Sequence, residues 1–138
     1  MSDEAAADEL RLLLVEDDAT IAEMYRLKLE IDGYTVSVAR DGETALRMVS
    51  DSPPDLVFLD IRLPGMDGLA VLEAIRADTS SRHLPVVILS NFGDEELRER
   101  GIKLGALEYL IKAQTTPAGV SERVRGWAET ALGEAARG

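Results

Sequence analysis

Acidic side chains close two short apolar runs of this chain: Val15 is followed by Glu16, Asp17 and Asp18, and Leu59 by Asp60. Two further apolar runs end in Ser90 and in Lys112. If these runs are neighbouring strands of one sheet, carboxylates, a hydroxyl and an ammonium gather around one point. Carboxylates forced together repel and drift toward protonation unless a cation neutralises them. A donor set of carboxylate oxygens, without nitrogen or sulfur, selects Mg²⁺ or Mn²⁺. Such an ion clamps phosphoryl oxygens while a lysine and a hydroxyl take those that remain. An aspartate in that setting can itself be the nucleophile and form an aspartyl phosphate. Taken singly, each acid is more simply read as a helix cap or a solvated turn residue. The match of four strand ends, one of them bearing a lysine, favours a shared site.

The elements that must position these groups are legible as an alternation. Apolar runs fall at 11–15, 34–39, 56–59, 86–89 and 107–111, and LLLV, LVFL and VVIL are apolar throughout, as strands covered on both faces are. Between them lie helical patterns. Ile21, Met24, Tyr25 and Ile31 share one arc, as do Ala45, Leu46 and Val49, then Leu69, Leu72 and Ile75, then Val120, Val124, Trp127 and Ala131. The stretch 94–104 is a poorer helix, with Gly101 between Leu97 and Leu104 and Ile102 pointing elsewhere. Asp18, Asp67 and Asp94 stand where N-caps belong, Asp32-Gly33 and Asp41-Gly42 mark turns, and Pro117 suits a first helical turn. Regular alternation of strand and helix implies a parallel sheet with helices on both faces, an α/β sandwich.

Composition removes other classes. Fifteen basic against 26 acidic residues give a net charge of -11, a field that repels nucleic acid and anionic membranes, so neither is an expected partner. No apolar run approaches the ~20 residues of a membrane span, and Met1 to Glu9 lacks the pattern of a secretory signal. Cysteine is absent, which excludes zinc–thiolate sites and a cysteine nucleophile and suits a cytoplasmic location. His83 is the single histidine, so no Ser-His-Asp triad or multi-histidine metal site can be assembled.

The runs L-L-L-V-E-D-D at 12–18, A-R-D-G-E-T-A-L at 39–46, D-I-R-L-P-G-M-D-G at 60–68, P-V-V-I-L-S at 85–90 and Y-L-I-K at 109–112 together resemble the receiver domain of bacterial two-component response regulators, of the chemotaxis-regulator type. The resemblance implies a flavodoxin-like, doubly wound five-stranded parallel sheet of order 2-1-3-4-5 with five helices in a three-layer sandwich. The receiver is expected over 10–134, with a disordered acidic tail at 1–9 and a short tail at 135–138. By position, Asp60 matches the phosphoacceptor. Asp17 matches a direct Mg²⁺ ligand, and Glu16 one that acts through water, with Asp60 and the Arg62 carbonyl completing the protein ligands. Ser90 and Lys112 match the hydroxyl and the ammonium that hold the phosphoryl group, and Ser90 with Tyr109 the pair that switches. The implied cofactor is Mg²⁺, with Mn²⁺ as a substitute. The implied phosphodonor is a histidine kinase or a histidine phosphotransfer protein, and the implied output is a protein target docked on the fourth helix, fifth strand and fifth helix. Self-phosphorylation and self-dephosphorylation are expected, without turnover of a separate substrate. A stand-alone regulator, a relay intermediate and a receiver cut from a longer chain all fit.

From the residues alone, Asp18 reads as a cap, Tyr109 equally as a packing aromatic, His83 as a solvated loop residue and Trp127 as core. Several positions depart from the family pattern. Glu16 replaces the commoner aspartate, and Asn91 is larger than the usual alanine or glycine. Arg62 and Phe92 occupy positions that tune the lifetime of the phosphorylated state. Ala113 replaces a proline, and because a cis bond without proline costs ~2.5–4 kcal/mol, a trans Lys112–Ala113 bond is expected. An aspartate-nucleophile phosphohydrolase would want an acid at position 62, which is arginine. A flavin carrier would want a phosphate-binding first loop, where Glu16, Asp17 and Asp18 repel one.

Overall fold

The computed structural model describes residues 10–91 and 93–137, with side chains through residue 130. The expected tail at 1–9, Phe92 and the place of Ala131 on its stripe lie outside the described residues. The chain alternates β1 (Arg11–Val15), α1 (Ala19–Ile31), β2 (Thr35–Ala39), α2 (Gly42–Asp51), β3 (Leu56–Leu59), α3 (Gly68–Ala77), β4 (Val86–Ser90), α4 (Glu95–Lys103), β5 (Glu108–Ile111) and α5 (Pro117–Arg137). The strands form one parallel sheet of order β2-β1-β3-β4-β5. α5 continues past 134, the boundary expected from sequence.

Strand alternation sorts the core into two layers. Leu13, Val15, Val57, Leu59, Val86 and Ile88 point to one face, where Ala45 and Val49 of α2 and Leu69, Leu72 and Ile75 of α3 cover them. Leu12, Leu14, Leu56, Phe58, Val87 and Leu89 point to the other, against Ala22, Tyr25 and Leu29 of α1 and Val120, Val124 and Trp127 of α5. Trp127 packs edge-on against Phe58 with ring centroids 5.8 Å apart, a core role as expected. Burial on both faces explains why β1, β3 and β4 read as unbroken apolar runs.

Asp18, Asp67 and Asp94 cap helices as expected, and Asp41, expected only as a turn residue, is a cap as well. Asp18, Asp41, Asp67 and Asp94 each accept a backbone N–H of the following helix, at 2.8–3.2 Å. The Lys112–Ala113 bond is trans, and the chain leaves β5 through a 3₁₀ turn, Lys112–Gln114.

One expectation is corrected. Met24 and Ile31 do not face the core: they are 50% and 76% exposed, and Leu27 between them is 47% exposed. At ~100° per residue, the direction set by Tyr25 is shared by Ala22 and Leu29. Met24, Leu27 and Ile31 form a second stripe on the outer side.

Two glycines are explained by close approach rather than by turn geometry. A Cβ on Gly101 would stand 2.5 Å from Ile88 Cδ1, so the residue that weakens α4 locally is also what seats it on β4. A Cβ on Gly68 would lie 2.1 Å from the Asp60 carbonyl oxygen and 2.8 Å from Ile61 Cα. The two should therefore respond differently to alanine. In Gly101→Ala a side-chain end can yield, and the ~1 kcal/mol gain in helix propensity offsets part of an overpacking cost of ~1–3 kcal/mol, leaving a loss of about 1 kcal/mol. In Gly68→Ala the obstacle is backbone, and the loss should reach about 3 kcal/mol or more. Urea denaturation of both variants checks this; a Gly68→Ala protein as stable as Gly101→Ala would refute the close-approach account.

Candidate functional site

Register builds the site. Val15 pairs with Leu59 on one side and with Ala39 on the other, so the next residues, Glu16, Asp60 and Arg40, emerge side by side at the carboxyl ends of β1, β3 and β2. The Glu16 N–H donates to the Ala39 carbonyl at 2.9 Å and the Asp60 N–H to the Val15 carbonyl at 3.1 Å, which carries the ladder into the site. Ser90 ends β4 opposite Ile111 of β5, and Lys112 follows directly. Glu16, Asp17, Asp60, Ser90 and Lys112 thus gather at the carboxyl edge of the sheet, while Tyr109 lies within β5, opposite Ile88.

Carboxylate oxygens of Glu16, Asp17 and Asp60 all lie within 4.8 Å of one another, a group that could hold a metal ion. Glu16 and Asp60 are 3% and 4% exposed, while Asp17 faces solvent. The Lys112 ammonium sits between the two buried acids, 2.5 Å from Glu16 Oε1 and 3.0 Å from Asp60 Oδ2. The remaining oxygens are also used. Glu16 Oε2 accepts the Asp18 N–H at 3.1 Å, and Asp60 Oδ1 accepts the Arg62 N–H at 3.2 Å. The Glu16 carboxylate thus links the β1–α1 loop to the residue that follows β5. Asp18 caps α1 through its own side chain.

Electrostatics follow from this packing. Burial is the largest influence on the Glu16 carboxyl and lifts it above the ordinary glutamate range, against the pull of its bonds to Lys112 and the Asp18 N–H. Burial would lower the Lys112 ammonium, but its bonds to Glu16 and Asp60 and their charges outweigh it and raise it. Three carboxylates against one ammonium leave two negative charges in excess, the complement of one divalent cation. An open cleft of about 490 Å³ adjoins the site at Asp17 and is lined also by Arg62, Leu63, Asp67, Leu97 and Arg100.

Ser90 is fully buried, and Tyr109 is buried in the layer beneath α4, its ring near Gly101. Arg62 meets Asp60 through its backbone and has an exposed side chain. The residue that sequence reasoning missed is Arg40, whose guanidinium reaches the Asp17 carbonyl. The available signal was its place directly after β2, the one strand end not counted among the polar termini.

Removing Lys112 strands two buried carboxylates. Lys112→Ala should cost about 3 kcal/mol at neutral pH, as breaking a buried pair does. Without the ammonium, the folded-state affinity of Glu16 for a proton rises further above its unfolded value. Stability then falls as pH rises through that folded value and is regained as pH drops toward the ordinary carboxylate range. Denaturation of both proteins across pH checks the sign; a deficit independent of pH would count against the pairing.

The fold agrees with what the chain is similar to. The family model for the response regulator receiver domain matches residues 12–123. Response regulator PleD of Caulobacter vibrioides is 37% identical over 102 residues, covering 74% of this chain and 22% of that protein. The phosphate regulon transcriptional regulatory protein PhoB of Escherichia coli is 38% identical over 102 residues, covering 74% of this chain and 44% of PhoB. The chain therefore spans less than half the length of these relatives. A crystal structure of a putative response regulator from Chloroflexus aurantiacus superposes with a TM-score of 0.81 at 35% identity, covering 88% of this chain and 98% of that one. With a matching model over most of its length and a parallel 2-1-3-4-5 sheet whose carboxyl edge gathers the acids and the lysine, the chain belongs to the response regulator receiver domain family.

Proposed function

We propose that this receiver accepts a phosphoryl group on Asp60 from the phosphohistidine of a histidine kinase or a histidine phosphotransfer protein, with Mg²⁺ held by Asp17, Asp60, the Arg62 carbonyl and, through water, Glu16. The observation that carries the reading is the buried Glu16–Lys112–Asp60 bridge beside the exposed Asp17, a carboxylate nucleophile with an ammonium already in contact. The carboxylate donors fit a hard divalent ion, which when bound would neutralise charge on the phosphoryl oxygens.

In the transfer, an Asp60 carboxylate oxygen forms the new P–O bond as the P–N bond to the donor imidazole breaks, and the imidazole leaves. Negative charge spreads over the three equatorial oxygens of the loose transition state. Lys112 exchanges its contact with Asp60 Oδ2 for a phosphoryl oxygen, and the Ser90 hydroxyl takes another. Asp60 stays oriented by the Arg62 N–H. Hydrolysis of the aspartyl phosphate resets the domain, without turnover of a separate substrate, and a kinase-fed switch of this kind works in the cytoplasm. Among the described residues, no helix is long and apolar enough to cross a membrane.

The outer stripe of α1, Met24, Leu27 and Ile31, is an exposed apolar face on the helix that follows Asp17 and Asp18, and it supports a protein phosphodonor, which could bury that face on docking. Output runs through α4, β5 and α5. Ser90 and Tyr109 sit on adjacent strands, and the Tyr109 ring lies under Gly101 of α4, so a shift at the hydroxyl has a short packed route to that helix.

Incubation with acetyl phosphate and Mg²⁺, followed by intact mass, should show one phosphoryl group on wild type and none on Asp60→Asn or after chelation. Met24→Glu should keep that labelling and slow transfer from a phosphohistidine protein. Labelling of Asp60→Asn at the same acid- and base-labile linkage would sink the assignment. Hydrogen exchange with beryllofluoride and Mg²⁺ should change in α4, β5 and α5; changes confined to α1 and α2 would rule out that output face.

A further inference from the structure

The three acids of the site are not held alike. Glu16 is fixed by Lys112 and the Asp18 N–H, and Asp60 by Lys112 and the Arg62 N–H. Among the described residues, the exposed Asp17 carboxylate has no hydrogen bond or ion pair of its own, so its aim is set by its main chain. That main chain is clamped from the neighbouring strand end. Arg40, directly after β2, donates to the Asp17 carbonyl oxygen twice, from Nη2 at 2.7 Å and from Nε at 3.2 Å. The planar guanidinium fork makes both bonds from one rotamer, which a lysine cannot do.

We infer that Arg40 is a positioning residue for the divalent cation: by pinning the Asp17 carbonyl it keeps the Asp17 carboxylate within reach of the oxygens of Glu16 and Asp60. The inference rests on the Mg²⁺ reading above. A partner that orients a metal ligand without touching the metal sets how much of the ligand's freedom must be lost on binding. Arg40 also carries a positive charge at the rim of an anionic site, which opposes an incoming cation. The two effects have opposite signs. Charge alone makes Arg40→Ala bind Mg²⁺ more tightly, whereas positioning makes it bind more weakly. At an exposed site, water and salt screen the charge, while the two bonds to Asp17 are short and direct, so positioning should win.

The test is calorimetric titration of Mg²⁺ into the wild-type chain, Arg40→Ala, Arg40→Lys and Asp17→Ala at fixed ionic strength, with melting curves and amide exchange of the metal-free proteins. Arg40→Ala should weaken binding about tenfold, and Arg40→Lys, which keeps the charge but loses the fork, should fall between it and wild type. Exchange should rise at residues 17–19 alone, with the metal-free melting temperature unchanged. Unchanged or tighter binding in Arg40→Ala, with Asp17→Ala weakened, overturns the inference and leaves the metal reading standing. A lowered melting temperature with faster exchange throughout also overturns it, in favour of a general structural role. If wild type binds no Mg²⁺, or Asp17→Ala binds as wild type does, the metal reading fails and the inference falls with it.

Discussion

Two carboxylates share one ammonium inside this protein, and much of the surrounding structure exists to make that arrangement tolerable. Glu16 and Asp60 are almost wholly buried, and a buried charge is costly unless it is paired and its remaining lone pairs are satisfied. Lys112 supplies the pairing from two strands beyond Asp60 and three beyond Glu16, and the Asp18 and Arg62 N–H groups supply the rest. The result stays unbalanced by two negative charges once Asp17 is counted. That excess is the charge a divalent cation would neutralise.

The requirement reaches into the packing. The acids meet only because β1 and β3 are adjacent and in register, which demands strands buried on both faces and helices on each side. The loop after Asp60 must double back so closely that the Gly68 N–H donates to the Ile61 carbonyl at 2.7 Å, leaving no room for a Cβ. The end of the D-I-R-L-P-G-M-D-G run is thus explained by backbone contact with Asp60 and Ile61. The β1–α1 loop is secured by the Asp18 cap and the Arg40 fork, and the chain after β5 by the Lys112–Gln114 turn.

α4 is anchored unequally along its length. At its carboxyl end the Arg76 guanidinium, its pKa lowered by burial, donates to the carbonyls of Leu104 at 2.8 Å and Gly105 at 3.1 Å. The same guanidinium binds the carbonyls of Leu84 at 2.7 Å and Arg82 at 3.0 Å, tying the helix end to the loop before β4. Along its length Gly101 is its single buried residue, and Leu97 is only partly buried. The helix is held firmly at one end and lightly over Ile88 and Tyr109, so little packing opposes displacement of the rest.

Much of this was legible in the order of residues. Apolar runs buried on both faces, helix-spaced stripes and capping acids are local patterns, and local physics fixes them: the strands, the caps at Asp18, Asp67 and Asp94, the α/β class and the trans Lys112–Ala113 bond all follow from short stretches of chain. The acids at the strand ends could be suspected, because an open parallel sheet collects its strand termini on one edge. Three things lay beyond the sequence. Which side of α1 faces inward could not be read, since the helix carries two apolar stripes and only the sheet beneath it selects Ala22, Tyr25 and Leu29 over Met24, Leu27 and Ile31. The meaning of Gly68 and Gly101 depends on atoms far away in the chain or on another element. Arg40 had no visible role until register set it beside Glu16 and turned its fork onto Asp17. Sequence specifies what each segment prefers by itself, whereas contacts between segments distant in the chain are decided only when the sheet closes and fixes which side chains meet.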